Sequence, residues 1–253
     1  MSYTNSPLVD YVRLSPNHSG RRKHVIDTVT VHCVAAHVTV ERLGEIFARP
    51  SRRASSNYGI GDDGRIGLYV DEANRSWCSS SASNDNRAVT IEVSSDGAHP
   101  YAVTPAAYES LIRLLADICR RNEIDALRWR GDPKLIGMTD LQNMTVHRWF
   151  ARKACPGDYL YKRHKDIAER VNALLREDDG DDTVTQEQFN GMMQVWLDQQ
   201  KQKPADPYAA EALKWASEAG IMTGDKNGNQ MPKGLATRQD VAVMLRRLLE
   251  MLA

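Results

Sequence analysis

Near residue 150 the chain reads HRWFARKACPGDY (147–159), which sets His147 and Cys155 eight positions apart, with Lys153 between them and a Pro-Gly turn behind. Among seven histidines and four cysteines this pair can be coincidence, a ring hydrogen-bonded at a strand end and a thiol buried as a small hydrophobe. It can also be half of a metal site, because imidazole nitrogen and thiolate sulfur are donors that zinc takes. His32, in the upstream run HVIDTVTVHC (24–33), supplies a third donor. A catalytic zinc takes three protein ligands and leaves the fourth position to water, a count that His, His and Cys satisfy.

Those residues need a frame. Residues 24–33 alternate and are rich in β-branched side chains, so a strand is expected with Val29 and Val31 on one face and Thr30 and His32 on the other. Cys33 then points away from His32, into the core. A short helix is expected from Thr39, with Thr as cap and Leu43, Ile46 and Phe47 at helical spacing. Asp63-Gly64 reads as a hairpin turn between strands near 57–61 and 65–70. SWCSSSASNDNR (76–87) reads as a turn-rich loop, and AVTIEVSS (88–95) as a strand with Thr90 and Glu92 sharing a face. From Thr104 a capped helix with proline at its first position repeats Tyr108, Leu111, Ile112, Leu115 and Ile118. Residues 123–146 read as irregular, with a short strand or turn near LRWRG, and residues 158–176 as a closing helix.

The acidic run EDDGDDTVT (177–185) has nothing to bury and reads as a linker. It divides the 253 residues into a first domain, 1–176, and a second, 186–253, holding three helical patterns. Thr237 and Asp240 form a capping-box pair at the start of the last one, followed by a stripe of Val241, Met244, Leu245, Leu248 and Leu252. The expected fold class is α/β, a mixed central sheet flanked by helices, joined to a small all-α C-terminal domain.

Thirty-three basic residues balance thirty-three acidic ones, so no bulk field draws the chain to nucleic acid or to an anionic membrane. The N-terminal stretch is polar, without the apolar core of an export signal, and no run approaches a membrane span. The expectation is synthesis in the cytoplasm, with the scattered cysteines as free thiols or metal ligands rather than a disulfide framework.

The ordered set of His32, SSNYGIGDDGRI (55–66), SWCSSSASNDNRAVTIEV (76–93) and His147 with KACPGDY (153–159) resembles the type 2 N-acetylmuramoyl-L-alanine amidases. These share a fold with peptidoglycan recognition proteins and amidase-type bacteriophage lysozymes. The similarity spans roughly residues 20–175. It implies a zinc-bearing cleft and hydrolysis of the amide joining the lactyl group of N-acetylmuramic acid to L-alanine in peptidoglycan. The resemblance also implies that His32, His147 and Cys155 hold Zn2+, that Lys153 stabilises the transition state, and that Glu92 is the acidic catalytic residue. A carboxylate can take a proton from water and return it to the leaving amine, and an ammonium can stabilise a developing oxyanion. Two departures stand out. Ser56 occupies the position before Asn57 where many relatives have tyrosine, and Trp77-Cys78-Ser79 stands where they often have Trp-His-Ala. Asn57 and Trp77 are candidate groove residues, one to read amides and one to offer an aromatic surface.

Residues 205–253 resemble an S-layer homology module, with Trp215 on one helix, a GIMTG turn and a TR-opened second helix. Such modules generally dock on secondary cell-wall polymers, often as three copies, and here there is one. Wall targeting, homo-oligomerisation through an unfilled apolar face, and a helical hairpin that merely packs on the first domain all stay open. The reading as a whole is a zinc amidase of endolysin type that is released onto the wall to lyse the cell. A bacterial autolysin, a non-catalytic peptidoglycan-recognition protein and a purely structural zinc are the rivals.

Overall fold

The computed structural model of the chain describes residues 3–179, 186–225 and 228–253. They fall into two compact units, Met1–Gly180 and Asp181–Ala253. No described helix is long and apolar enough to cross a membrane.

The first unit is built on a six-stranded sheet. Its strands are β1 (Tyr11–Val12), β3 (Thr28–Cys33), β4 (Tyr58–Ile60), β5 (Ile66–Leu68), β7 (Ala88–Val93) and β8 (Met144–Thr145), in spatial order β1-β5-β4-β7-β3-β8. All neighbours run parallel except the β4–β5 hairpin, which turns at the expected Asp63-Gly64. A separate antiparallel ribbon pairs β2 (His18–Arg21) with β6 (Asn74–Ser76). Four helices accompany the strands: α1 (Val40–Phe47), α2 (Ala82–Arg87), α3 (Pro105–Arg121) and α4 (Gly157–Asp179).

Alternation along β3 and β7 decides what each face of the sheet does. Val29, Val31, Val89, Ile91 and Val93 turn one way, into a core completed by Leu111, Leu115 and Ile118 of α3 and Leu160, Ile167 and Val171 of α4. Each such side chain contributes about 1.5–3 kcal/mol by leaving water. Thr30, His32, Thr90 and Glu92 alternate with them and turn the other way. On that side Leu43 and Phe47 of α1 pack with Tyr69 in a smaller apolar cluster. Gly59 must be glycine here, since a Cβ would meet Tyr69 Cε2 at 2.7 Å and Leu43 Cδ1 at 2.8 Å.

The expected caps form. Thr39 accepts from the Arg42 amide and Thr104 from the Ala107 amide, each saturating a first-turn donor. Three expectations need correction. The loop 76–87 begins on the last residue of β6 and contains helix α2, which Ser81 caps by accepting from the Asn84 amide; its serines and asparagines read as turn residues because the cap and the helix body share that composition. No strand forms near LRWRG, because side-chain amides take over the backbone groups there: the Leu127 amide donates to Asn172, the Arg128 amide to Asn143, and the Arg130 and Asp132 amides to Gln142. Finally, α4 runs on to Asp179, past the expected start of the linker at 177, while positions 180–185 of that stretch lie outside the described residues.

The second unit contains α5 (Gln186–Lys201), α6 (Pro207–Glu218) and α7 (Arg238–Leu252), where the three helical patterns were expected. Thr237 and Asp240 close the capping box in both directions. Among its described residues Ile221 is the one buried apolar side chain, and the stripe of α7 stays open, with Val241 and Leu245 exposed.

Candidate metal centre

His32 lies near the carboxyl end of β3, where parallel strands open a crevice. The parallel register sets it beside Glu92 on β7, and Glu92 in turn beside Gly59 on β4. The other two candidate ligands arrive from the segment after β8. His147 begins a single 3-10 turn, His147–Trp149, and the Arg148 amide donates to the Cys155 carbonyl at 3.1 Å, which ties that turn to the Cys155 loop.

One nitrogen of His32, one of His147 and the sulfur of Cys155 lie within 4.8 Å of one another. Cys155 Sγ is 3.3 Å from His32 Nδ1, and the two rings meet edge-on with centroids 5.1 Å apart. Nitrogen and sulfur held tetrahedrally at about 2.0 and 2.3 Å from one ion stand about 3.5 Å apart, so the spacing fits such an ion. His147 Nε2 makes a 2.9 Å hydrogen bond with Ser80 Oγ, which leaves Nδ1 free to coordinate. Burial, with the neighbouring His147, pushes His32 down to about 3, so it stays neutral and keeps a lone pair. His147 is lowered as well, by burial and by the charge of Lys153. The Cys155 thiol is pushed up by its hydrogen bond with Cys33 and by burial, so coordination must displace its proton. Cys33 sits in the core as its register requires, and it is also at the cleft's edge beside Cys155.

The centre opens into a cleft of about 680 Å³. Glu92 and Lys153 both line it. Burial pushes the Glu92 carboxyl up to about 8, and Oε2 is enclosed without a hydrogen-bond partner. Lys153 is exposed and has no ion-pair partner among the described residues, so its ammonium is free to meet a ligand. Trp77 is 37% exposed on the cleft wall, its indole N–H donating to Ser19 Oγ.

Asn57 is different, and its assignment to the groove is corrected. It is fully buried, its amide nitrogen is engaged by the carbonyls of Val70, Asp71 and Asn74, and its oxygen accepts from Arg22, from the Thr90 amide and from the Thr90 hydroxyl. No polar group remains for a substrate. Asn57 is a hub beneath the site that ties β4 to β7 and to the loop before β6.

Several contributors escape the sequence reading. Asp85 accepts from the amides of Cys78 and Ser79 and fixes the loop that carries Ser80. Asn84 clamps Thr30 of β3 to Thr145 of β8, one residue pair below the ligands. Arg52, Arg53 and Arg75 line the cleft with Lys153, so the mouth is basic although the chain has no net charge. The adjacent arginines in RPSRR (49–53) were the one available signal. Ser80 has none, being one serine in a run of five small residues, 79–83.

Residues 21–158, more than half of the chain, match the N-acetylmuramoyl-L-alanine amidase family, and the chain belongs to that family. Residues 202–242 match the S-layer homology domain. Solved structures similar to this chain include a mutant endolysin from Bacillus subtilis, at 15% identity and TM-score 0.49 over 64% of this chain and 99% of that one. A selenomethionine derivative of AmpD is similar at 20% identity and TM-score 0.47, over 66% of this chain and 99% of that one. Drosophila peptidoglycan recognition protein SA is similar at 15% identity and TM-score 0.46, over 61% and 90%. No curated protein matches the chain.

Proposed function

We propose that this chain is a zinc-dependent peptidoglycan hydrolase that cleaves the amide between the lactyl group of N-acetylmuramic acid and L-alanine. The observation that carries the reading is the convergence of His32, His147 and Cys155 at the head of a cleft also lined by Glu92 and Lys153. Two neutral imidazoles and one thiolate form a donor set suited to zinc, and no fourth His, Cys, Asp or Glu joins that trio among the described residues. When bound, zinc lowers the pKa of water and polarises a carbonyl.

The residues divide the remaining work. Glu92 accepts a proton from the attacking water as the new C–O bond forms, then delivers it to the amine nitrogen as the C–N bond breaks. Its raised proton affinity suits both halves of that transfer near neutral pH. The Lys153 ammonium meets the oxyanion, whose charge is greater in the transition state than in the substrate carbonyl. Ser80 orients the His147 ring, and Trp77 offers an aromatic wall to sugar or peptide. The presence of Cys155 argues against a recognition protein without catalysis.

The second unit is proposed to target the wall by holding a secondary cell-wall polymer, as its S-layer homology match favours. The open apolar faces of its helices favour homo-oligomerisation as well, since a single repeat does not complete its own core. An endolysin role, with synthesis in the cytoplasm and action on the wall after release, is proposed ahead of an autolysin. No nucleic-acid or membrane partner is proposed.

The test is digestion of purified walls with and without chelator, reading the newly exposed amino termini. The expected product is N-terminal L-alanine, lost on chelation and restored by zinc. Release that ignores the chelator, or none from zinc-loaded protein, contradicts the proposal.

A further inference from the structure

Cys78 has no role in this scheme, yet its surroundings are those of a metal ligand. The Cys78 sulfur, one nitrogen of His32 and one carboxylate oxygen of Glu92 lie within 4.8 Å of one another, a second trio that shares His32 with the first. Cys78 Sγ faces Glu92 Oε1 at 3.8 Å. Two polar atoms of this trio, His32 Nε2 and Glu92 Oε2, are enclosed without any hydrogen-bond partner. A buried polar atom left unpaired costs about 1–3 kcal/mol, so two in adjacent side chains call for an occupant. The backbone around Cys78 is held still, because Asp85 accepts from the amides of Cys78 and Ser79.

We propose that His32, Cys78 and Glu92 form a second, non-productive position for a thiophilic divalent ion, filled in place of the first. The donors are one imidazole, one thiolate and one carboxylate, so a divalent ion there is neutralised, which suits an enclosed site. The first position carries only one anionic donor and keeps a net positive charge with its ion. Coordination at Cys78 expels the thiol proton to solvent, as thiolate binding requires. An ion in this position holds Glu92, which is then unavailable for proton transfer. In the intact chain the two-imidazole position predominates, and the second becomes visible when the first is broken. The inhibitory consequence rests on the amidase reading; the binding does not.

Cadmium reports the occupant directly, through thiolate-to-metal charge-transfer absorption of the full chain. Cys155→Ala is expected to keep one tightly bound cadmium with that absorption, and the double variant Cys155→Ala/Cys78→Ala to bind at least tenfold more weakly with the absorption gone. His147→Ala, which keeps both thiols, gives an independent check should Cys155→Ala fail to fold. Adding Cys78→Ala is expected to weaken cadmium at least tenfold in that background and less than twofold in the intact chain. The proposal is overturned if Cys155→Ala binds no cadmium while the parent binds one, or if the absorption survives in the double variant and so belongs to another thiol such as Cys33. A parent chain that binds no ion at all defeats the zinc reading of the first position and this proposal with it, whereas loss confined to Cys155→Ala defeats this proposal alone.

Discussion

Leu111 on α3 and Leu249 on α7 both belong to long amphipathic helices, but Leu111 has no exposed surface and Leu249 is 67% exposed. The contrast extends to the whole of each unit. The amidase unit encloses the side chains of two helices against the sheet, whereas α5 and α7 leave Phe189, Trp196, Leu245 and Leu249 in solvent. A close-packed interior transmits position, which is what a site needs when its donors must agree to a few tenths of an ångström. Surface left open has the opposite use, since contiguous exposed apolar side chains mark places where other molecules bind. On the proposed reading, chemistry and attachment thus fall to different units of one chain.

Substitutions test that division. His32→Ala removes the one donor common to both metal positions, and zinc content and lactyl-amide cleavage are expected to fall to the level of chelated protein. Glu92→Gln is expected to keep zinc and lose about 10²–10⁴-fold in turnover, because it removes the proton carrier and leaves the donors. Full turnover there would remove Glu92 from the mechanism. In the core, Leu111→Ala is expected to cost about 2–5 kcal/mol in denaturant unfolding of the amidase unit. Leu249→Ala is its counterpart and is expected to cost less than about 0.5 kcal/mol in unfolding of its own unit while weakening self-association in sedimentation. If the two leucines cost the same, the contrast between the units is broken. Lys153→Ala is expected to lower turnover about 10²-fold with zinc retained, since an exposed side chain carries little of the fold.

A further prediction concerns pH. His164 is fully enclosed beside Trp129, and burial holds its imidazole down to about 4. Its pKa is lower in the folded protein than the ordinary value near 6.5, so its contribution to stability is complete above pH 6.5 and is lost as pH falls towards 4. The slope in that window is at most about 1.4 kcal/mol per pH unit, and His164→Gln is expected to flatten it.

Local rules reached far into this sequence. The caps at Thr39, Thr104 and Thr237, the Asp63-Gly64 turn and the alternating faces of β3 and β7 all follow from residues within a few positions of one another. Spacing and resemblance bring His32, His147 and Cys155 together. Long-range pairing was not legible. That Glu92 stands beside His32 depends on the register of β3 with β7, which no local window contains. Asn57 misleads for the same reason, because a polar residue at a strand's start reads as exposed until the six hydrogen bonds of its side chain are known. Ser80 and Asn84 hold the site through bonds to residues more than sixty positions away, or to strands assembled around them, and their composition announces only a turn.

The measurement that bears most directly on the central claim is X-ray absorption at the zinc edge of the full-length, zinc-loaded protein. The account predicts one ion per chain with one sulfur at about 2.3 Å, two imidazole nitrogens at about 2.0 Å and one further light atom from solvent. Two or more sulfurs, a fourth donor from the protein, or a chain that retains no zinc would contradict it.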